Sequence, residues 1–257
     1  MQPDEEKRNT DMIAGRHAVG EALRSGRVLD SVLVAKGERS GGLNALTARC
    51  RERGIPVKEV DARKLDALCG PHHQGIAAVA ACKEYATLDD LFAAAQSRNE
   101  PPLFVVCDEL EDPHNLGAIL RTAEAAGAHG VIIPRLRSAG LTSATYKASA
   151  GAAEYVPVAR VANIADTLRE LKKRGVWIYG LDMEGAPWCG TDLRDAAALV
   201  VGSEGRGVGR LVREQCDFVL SLPMRGRIQS LNASVACGIV LYEAARQRLG
   251  LPAGQPD

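Results

Sequence analysis

Residues 103–134, LFVVCDELEDPHNLGAILRTAEAAGAHGVIIP, decide the fold. LFVVC is an unbroken apolar run of strand length, and HGVIIP is another. Between them NLGAILRTAEAAG has helical spacing and stops at Gly127, where a helix-ending glycine belongs. Downstream the alternation continues. TSATYKASAGAAEY is helical and rich in small residues, NIADTLRELKKRG is an amphipathic helix, and VWIYGLD and AALVVG are strands. GVGRLVREQC is a short helix, DFVLSLP a strand, and NASVACGIVLYEAARQRLG a long final helix. Val/Ile/Leu-rich strands alternating with helices predict an α/β domain over 103–250, with a mostly parallel sheet covered on both faces.

Upstream, residues 12–82 read as a second, smaller α/β unit. GRHAVGEALRSG is a helix, VLDSVLVAK a strand, GLNALTARCRERG a helix ending at Gly54, and IPVKEV a strand. DARKLDALCG is a helix with Asp61 as its expected N-cap, and IAAVAAC is a buried strand. Residues 83–102 hold only a short amphipathic piece, LDDLFAAAQSR, and then NEPP, whose paired prolines stop a helix. They are expected to be a linker. Residues 1–11 are polar and are expected to be disordered.

The chain has 257 residues, with 32 Lys plus Arg against 32 Asp plus Glu, and 46% hydrophobic residues, a composition that excludes disordered and collagenous classes. No apolar run approaches the roughly 20 residues that span a bilayer, and MQPDEEKRNTD lacks a signal-peptide core, so a cytoplasmic protein without a membrane partner is expected. Seven cysteines, at 50, 69, 82, 107, 189, 216 and 237, include no C-x-x-C pair. They read as small core residues in a reducing compartment, and no metal site is expected. The zero net charge argues at first against a nucleic-acid partner.

Ligands of open α/β sheets bind where strands end and helices begin. Three such junctions carry more polar residues and glycines than a turn requires: DELEDPHNLGAILRTAE (108–124), VVGSEGRGVGRL (200–211) and SLPMRGRIQSLNASVACGIVLYEA (221–244). In the first, Asn115 sits at a helix start and either caps it or faces a site. Arg121 either snorkels from the surface or holds a phosphate through its planar fork. The second matches neither standard phosphate-loop pattern, and its glycines suggest backbone bent close to a flat ligand. Glu204 among them would repel a phosphate and suits a cationic or hydroxyl-bearing ligand. In the third, Ser230, Asn232 and Ser234 alternate with Leu231 and Ala233 at the mouth of the last helix, more than a cap requires. His72 and His73 in PHHQG read from the residues alone as turn packing before a strand, and a contact to a ligand is an equal reading only where a family resemblance supports it.

In this order the three segments resemble motifs 1, 2 and 3 of the SpoU/TrmH family of RNA ribose 2′-O-methyltransferases, within the SPOUT class. The resemblance covers residues 12 to 249. It is nearest, through GRHAV, HHQGI, DPHNLGAILRTAEAAG and SLNASVACGIVLYEAARQR, to the branch that methylates a guanosine ribose in the peptidyl-transferase loop of 23S rRNA. It implies a deep C-terminal trefoil knot, S-adenosyl-L-methionine (AdoMet) bound within it, a homodimer formed through the catalytic domain, and an N-terminal L30e-like domain that binds RNA. Carried over by motif, Asn115, Arg121, Glu204, Ser230 and Asn232 would be catalytic, with Arg121 supplied by the partner subunit. Gly202, Gly207, Leu222, Met224, Leu231 and Ser234 would hold the cofactor. Ser203, Arg225 and Arg227 depart from the family pattern. A tRNA or resistance rRNA methyltransferase of the same family would share these motifs. A non-catalytic RNA-binding protein would have no need of the intact set.

The neutral charge is unevenly distributed. Residues 12–82 contain 11 basic and 7 acidic residues, a balance of +4 in the domain expected to bind RNA. Arg121, Arg206, Arg210, Arg225 and Arg227 add positive charge around the expected site. Phosphate contacts respond to this local field rather than to the whole-chain sum.

Overall fold

The computed structural model describes residues 12–37, 40–203, 205–228 and 230–252. Residues 1–11, and Glu204 of the expected site, lie outside the described residues. The chain divides into two compact units. One runs to Glu84 and includes Gly140–Ser143; the other is Tyr85–Ala139 with the chain from Ala144 onward.

The first unit contains β1 (Met12–Ala14), α1 (Arg16–Arg24), β2 (Leu29–Ala35), α2 (Gly41–Glu52), β3 (Val57–Val60), α3 (Ala62–Cys69) and β4 (Ile76–Ala80). Its sheet order is β1-β4-β2-β3, with β2 and β3 parallel and the other pairs antiparallel. Strand alternation sends Val32 and Val34 to one face, where Val19, Leu23, Leu43 and Leu46 of α1 and α2 cover them. Leu33 and Ala35 face the other way, against Leu65 of α3. Asp61 stands at the N-cap of α3 without making the side-chain bond expected of it. His73 is buried, with Nε2 3.2 Å from an Asp66 carboxylate oxygen and Nδ1 accepting from the Gly75 N–H, so it packs the turn; His72 is exposed.

The second unit contains α4 (Leu88–Ser97), β5 (Leu103–Cys107), α5 (Pro113–Ala125), β6 (Gly130–Pro134), α6 (Ser143–Ala148), β7 (Val158–Val161), α7 (Ile164–Lys173), β8 (Trp177–Pro187), β9 (Ala197–Val201), α8 (Arg210–Arg213), β10 (Phe218–Ser221) and α9 (Ala233–Arg248). Its six strands lie in the order β10-β8-β9-β5-β6-β7, and every neighbouring pair is parallel. β5, β6 and β9 are buried along their whole length, as strands covered on both faces must be. Leu91, Ile164, Leu168, Leu171 and Val212 cover one face. On the other, α5 and α9 pack on each other and α9 lies on β9.

The stretch expected as a linker is instead part of this unit. Thr87 and Asp90 form a reciprocal capping box at the start of α4, and Leu91 and Ala95 are fully buried. The boundary therefore falls after Glu84, and the second unit begins earlier than residue 103. The helix ends before the prolines, at Ser97 with Asn99 left-handed at φ +54°, and the Pro101 and Pro102 carbonyls accept from the Arg248 guanidinium at 2.6 and 3.1 Å. All the cysteines are free. Burial pushes the Cys237 thiol up to about 12 and the Cys216 thiol up to about 11, far from a thiolate nucleophile at neutral pH. Among the described residues no group of His, Cys, Asp or Glu could hold a metal ion, and no helix is long and apolar enough to cross a membrane.

Candidate active site

The carboxyl ends of β8, β9 and β10 and the start of α9 enclose a cleft of about 340 Å³. It lies at the edge of the parallel sheet where ligands of such folds bind. Five of the expected cofactor residues line it: Gly202, Gly207, Leu222, Met224 and Leu231. Ser230 lines it as well.

The loop after β9 is bent back on itself. The Ser203 N–H donates to the Gly207 carbonyl at 3.1 Å, and the Gly207 N–H returns a bond to the Ser203 carbonyl at 2.8 Å. Gly207 has φ +63°, a conformation that disfavours a side chain. A Cβ on Gly202 would sit 2.0 Å from the Gly207 carbonyl carbon and 2.1 Å from its oxygen. The pattern of glycines thus follows from backbone lying directly on backbone. The loop leaves toward α8 pinned to the end of β5, where the buried Asp108 carboxylate accepts the Gly209 N–H at 2.8 Å. Burial holds the Asp108 carboxyl above the ordinary carboxylate range, and the Gly209 bond partly opposes that. Asp108 was not expected at the site. Its only mark in the sequence is a carboxylate directly following the apolar run LFVVC.

Asn115 is not the cap of α5. Asp112 fills that position, accepting from the His114 N–H, with Pro113 opening the helix. The Asn115 side chain is freed for another use. It is buried, and its Oδ1 accepts from Asn232 Nδ2 at 2.9 Å across 117 positions of sequence. Asn232 is the true cap of α9: its Oδ1 takes the Ser234 and Val235 N–H groups at 2.9 and 3.3 Å and the Ser234 hydroxyl at 2.6 Å. Three donors on the oxygen leave the amide nitrogen to face Asn115. Ser234 is therefore turned into the cap and is absent from the cleft lining, unlike the other expected cofactor residues.

Arg121 is also absent from the cleft. Six residues beyond Asn115 at ~3.6 per turn, it faces another side of α5. It is exposed, and among the described residues it makes no hydrogen bond or ion pair. Arg225 and Arg227 are exposed in the loop before α9. The lining also includes Leu181, Asp182, Met183 and Arg206. The Asp182 carboxylate pairs with Arg213 at 3.1 Å. Leu181 to Met183 escaped the sequence reading because VWIYGLD looks like an ordinary strand end, whereas β8 runs on to Pro187.

Residues 102–242 match the SpoU rRNA Methylase family, and residues 12–86 match a family described as RNA 2′-O ribose methyltransferase substrate binding. The chain belongs to the SpoU rRNA Methylase family. This SpoU methylase is 48% identical over 239 residues to a Bacillus subtilis (strain 168) protein, YacO, assigned to the TrmH family tRNA/rRNA methyltransferases; the match covers 93% of this chain and 96% of that one. Its fold resembles that of the SpoU methyltransferase AviRb from Streptomyces viridochromogenes in complex with AdoMet, at TM-score 0.60 and 26% identity over 96% of this chain and 95% of that one. An AdoMet-bound rRNA methyltransferase from Sinorhizobium meliloti aligns at TM-score 0.58 and 27% identity over 92% and 87% of the two chains. A TrmH/SpoU tRNA modifying enzyme from A. aeolicus aligns at TM-score 0.54 and 32% identity over 63% of this SpoU methylase and 84% of that chain. The SpoU methylase is thus an RNA methyltransferase, of a family whose methyl donor is S-adenosylmethionine.

Proposed function

We propose that this SpoU methylase transfers a methyl group from AdoMet to the 2′-oxygen of a guanosine ribose in 23S rRNA, in the peptidyl-transferase loop, and that it does so as a homodimer. One observation favours rRNA over tRNA: the tRNA modifying enzyme aligns with 63% of the chain, whereas the rRNA methyltransferase aligns with 92%. The second alignment is long enough to take in the first unit, whose residues 12–82 carry the +4 balance and match the substrate-binding family. That unit binds the RNA.

The residues of the cleft fit the cofactor. Leu222, Met224 and Leu231 give an apolar lining suited to a purine. A Cβ added at Gly207, which lines the cleft, would meet no neighbouring atom, so bare backbone faces open space. When bound, AdoMet supplies a methyl group on a sulfonium, an electrophile that needs no metal. The chain from Leu181 to Ala236, which lines the cleft in successive segments, is on this reading the knotted stretch.

The protein positions the ribose and favours loss of its hydroxyl proton. Alignment alone contributes roughly 7–11 kcal/mol to such a reaction. Asn115 and Asn232, locked to each other, fix the first and third junction loops, and Ser230 orients the ribose from the cleft wall. Glu204, outside the described residues, is kept in the proposed catalytic set on the resemblance of its motif alone. Arg121, exposed and without an ion pair among the described residues, enters the partner subunit's site. A guanidinium is a poor base because it holds its proton at neutral pH. Arg121 therefore grips the adjacent phosphate and stabilises the charge developing on the 2′-oxygen.

Methyl transfer from labelled AdoMet to rRNA and tRNA fractions of a deletion strain tests this, with mass mapping of the modified nucleotide. The expected acceptor is 23S rRNA. In the Arg121→Ala variant, transfer is abolished while AdoMet binding survives. Normal turnover in that variant overturns the role of Arg121, and a 2′-O-methyl mark missing only from tRNA overturns the rRNA assignment.

A further inference from the structure

The carboxyl edge of the second unit's sheet carries a second built feature, two strands away from the loop after β9. Arg135, Leu136 and Arg137 follow β6 and are all exposed, Leu136 at 59%. A lone exposed leucine is ordinary on a protein surface. Leu136 differs in how it is held. Arg137 has φ +53°, and Glu109, in the loop after the neighbouring β5, has φ +55°. Left-handed backbone is disfavoured for both residues and persists only where the surroundings enforce it. Here the two strained residues hold each other, with Arg137 Nη2 2.7 Å from Glu109 Oε1.

Backbone bonds complete the brace. The Arg135 N–H donates to the Val161 carbonyl at 2.8 Å, the Arg135 carbonyl accepts from Arg160 Nη2 at 3.3 Å, and the Ala139 N–H donates to the Leu110 carbonyl at 2.7 Å. Glu109 also directly follows Asp108, which pins the glycine loop of the cleft. The leucine is thus presented rigidly, between two arginines, on a brace continuous with the cleft wall. With strands ~4.8 Å apart, the ends of β6 and β9 are roughly 10 Å from each other, a few nucleotides along one RNA strand.

The 2′-hydroxyl of stacked RNA is displayed in a wide, shallow groove, but a chosen nucleotide is told from its neighbours most readily when it is splayed out of the stack. Proteins that open stacks use an apolar wedge with cationic groups on the adjoining phosphates. We propose that Arg135, Leu136 and Arg137 form an RNA-opening prong, in which Leu136 enters the base stack beside the reacting nucleotide and the Arg135 guanidinium takes a neighbouring phosphate, while Arg137, paired with Glu109, holds the turn. The prong rests on the reading of the cleft as an RNA 2′-O-methylation site, and does not depend on whether rRNA or tRNA is the substrate.

The test uses the full chain and whichever RNA, rRNA or tRNA, accepts methyl from the wild-type protein. Leu136→Ala is expected to raise KM for RNA about tenfold, the size of one lost buried leucine contact, with KM for AdoMet unchanged. Leu136→Met, which keeps a long apolar side chain, is expected to restore KM for RNA to near the wild-type value. A 2-aminopurine placed beside the acceptor nucleotide should brighten on binding wild-type protein and stay dim with Leu136→Ala. An unchanged KM for RNA in Leu136→Ala, with undiminished brightening, overturns the prong while leaving the methyltransferase reading intact. Wild-type protein that transfers methyl to no RNA overturns both.

Discussion

Gly202 has no room for a methyl group. Its Cβ would lie 2.0 Å from the backbone of Gly207, which is itself held by the paired bonds to Ser203. Gly202→Ala must therefore push the loop off its bed, at about 1–3 kcal/mol of strain borne by the cleft wall. AdoMet binding, followed by titration calorimetry, is expected to weaken roughly 10- to 100-fold, since 1.4 kcal/mol is a factor of ten. The far-UV circular dichroism should stay as it was. Unchanged affinity would mean the loop is not the cradle. The glycines were legible because their spacing fits no helix or strand, and Asn115 and Asn232 because each adds a polar group at a junction. Their bond to each other was not legible, since nothing local joins positions 117 apart. Asp112 hid the role of Asn115, for two candidate caps three residues apart look alike until one is used.

At the scale of elements, the turn between α5 and β6 holds a buried histidine that ties this hairpin-like crossover to β5. His129 accepts the Leu103 N–H at Nδ1 and faces Glu100 at 3.0 Å through Nε2. Burial holds its imidazole below the ordinary 6.5 and outweighs the opposing bond to Glu100. The folded chain thus stays unprotonated where the unfolded chain takes up a proton. Stability from this group is fully present above 6.5 and is lost as pH falls through that value toward the lower folded pKa. Thermal melts of the full chain between pH about 7 and about 5 should show a falling Tm. In His129→Asn, whose amide oxygen can still accept from Leu103, that part of the slope should vanish. Identical slopes for the two proteins would refute the account. Long strands and helices were legible from periodicity. The four-residue β7 was not, lying between two helical patterns, and α4 passed for a linker because its burial depends on β5 and β7 rather than on its own sequence.

For the molecule as a whole, α9 poses the question of assembly. Its apolar residues run all the way round the helix. One side is covered by β9 and α5, yet Val235 and Tyr242 remain 50% and 52% exposed. A helix apolar all round is normally buried all round. A second copy packed on this stripe would complete the burial and carry its own Arg121 with it, because α5 and α9 pack on each other. Tyr242→Glu, a surface change in a single chain, is expected to leave the fold and AdoMet binding intact. It should halve the mass measured by light scattering and reduce methyl transfer more than tenfold. A variant that stays dimeric, or a monomer that methylates at the wild-type rate, overturns this arrangement. Net charge proved a poor guide at this scale, since 32 charges of each sign conceal a basic first unit.

The bond between Asn115 and Asn232 also sets a clock. The cleft lining from Leu181 to Leu231 leaves the ribosome before residue 232, which then closes the first junction against the third. A chain still short of that helix cannot make this contact, so the joining of the first and third junctions depends on the folding of α9 rather than of the sheet alone.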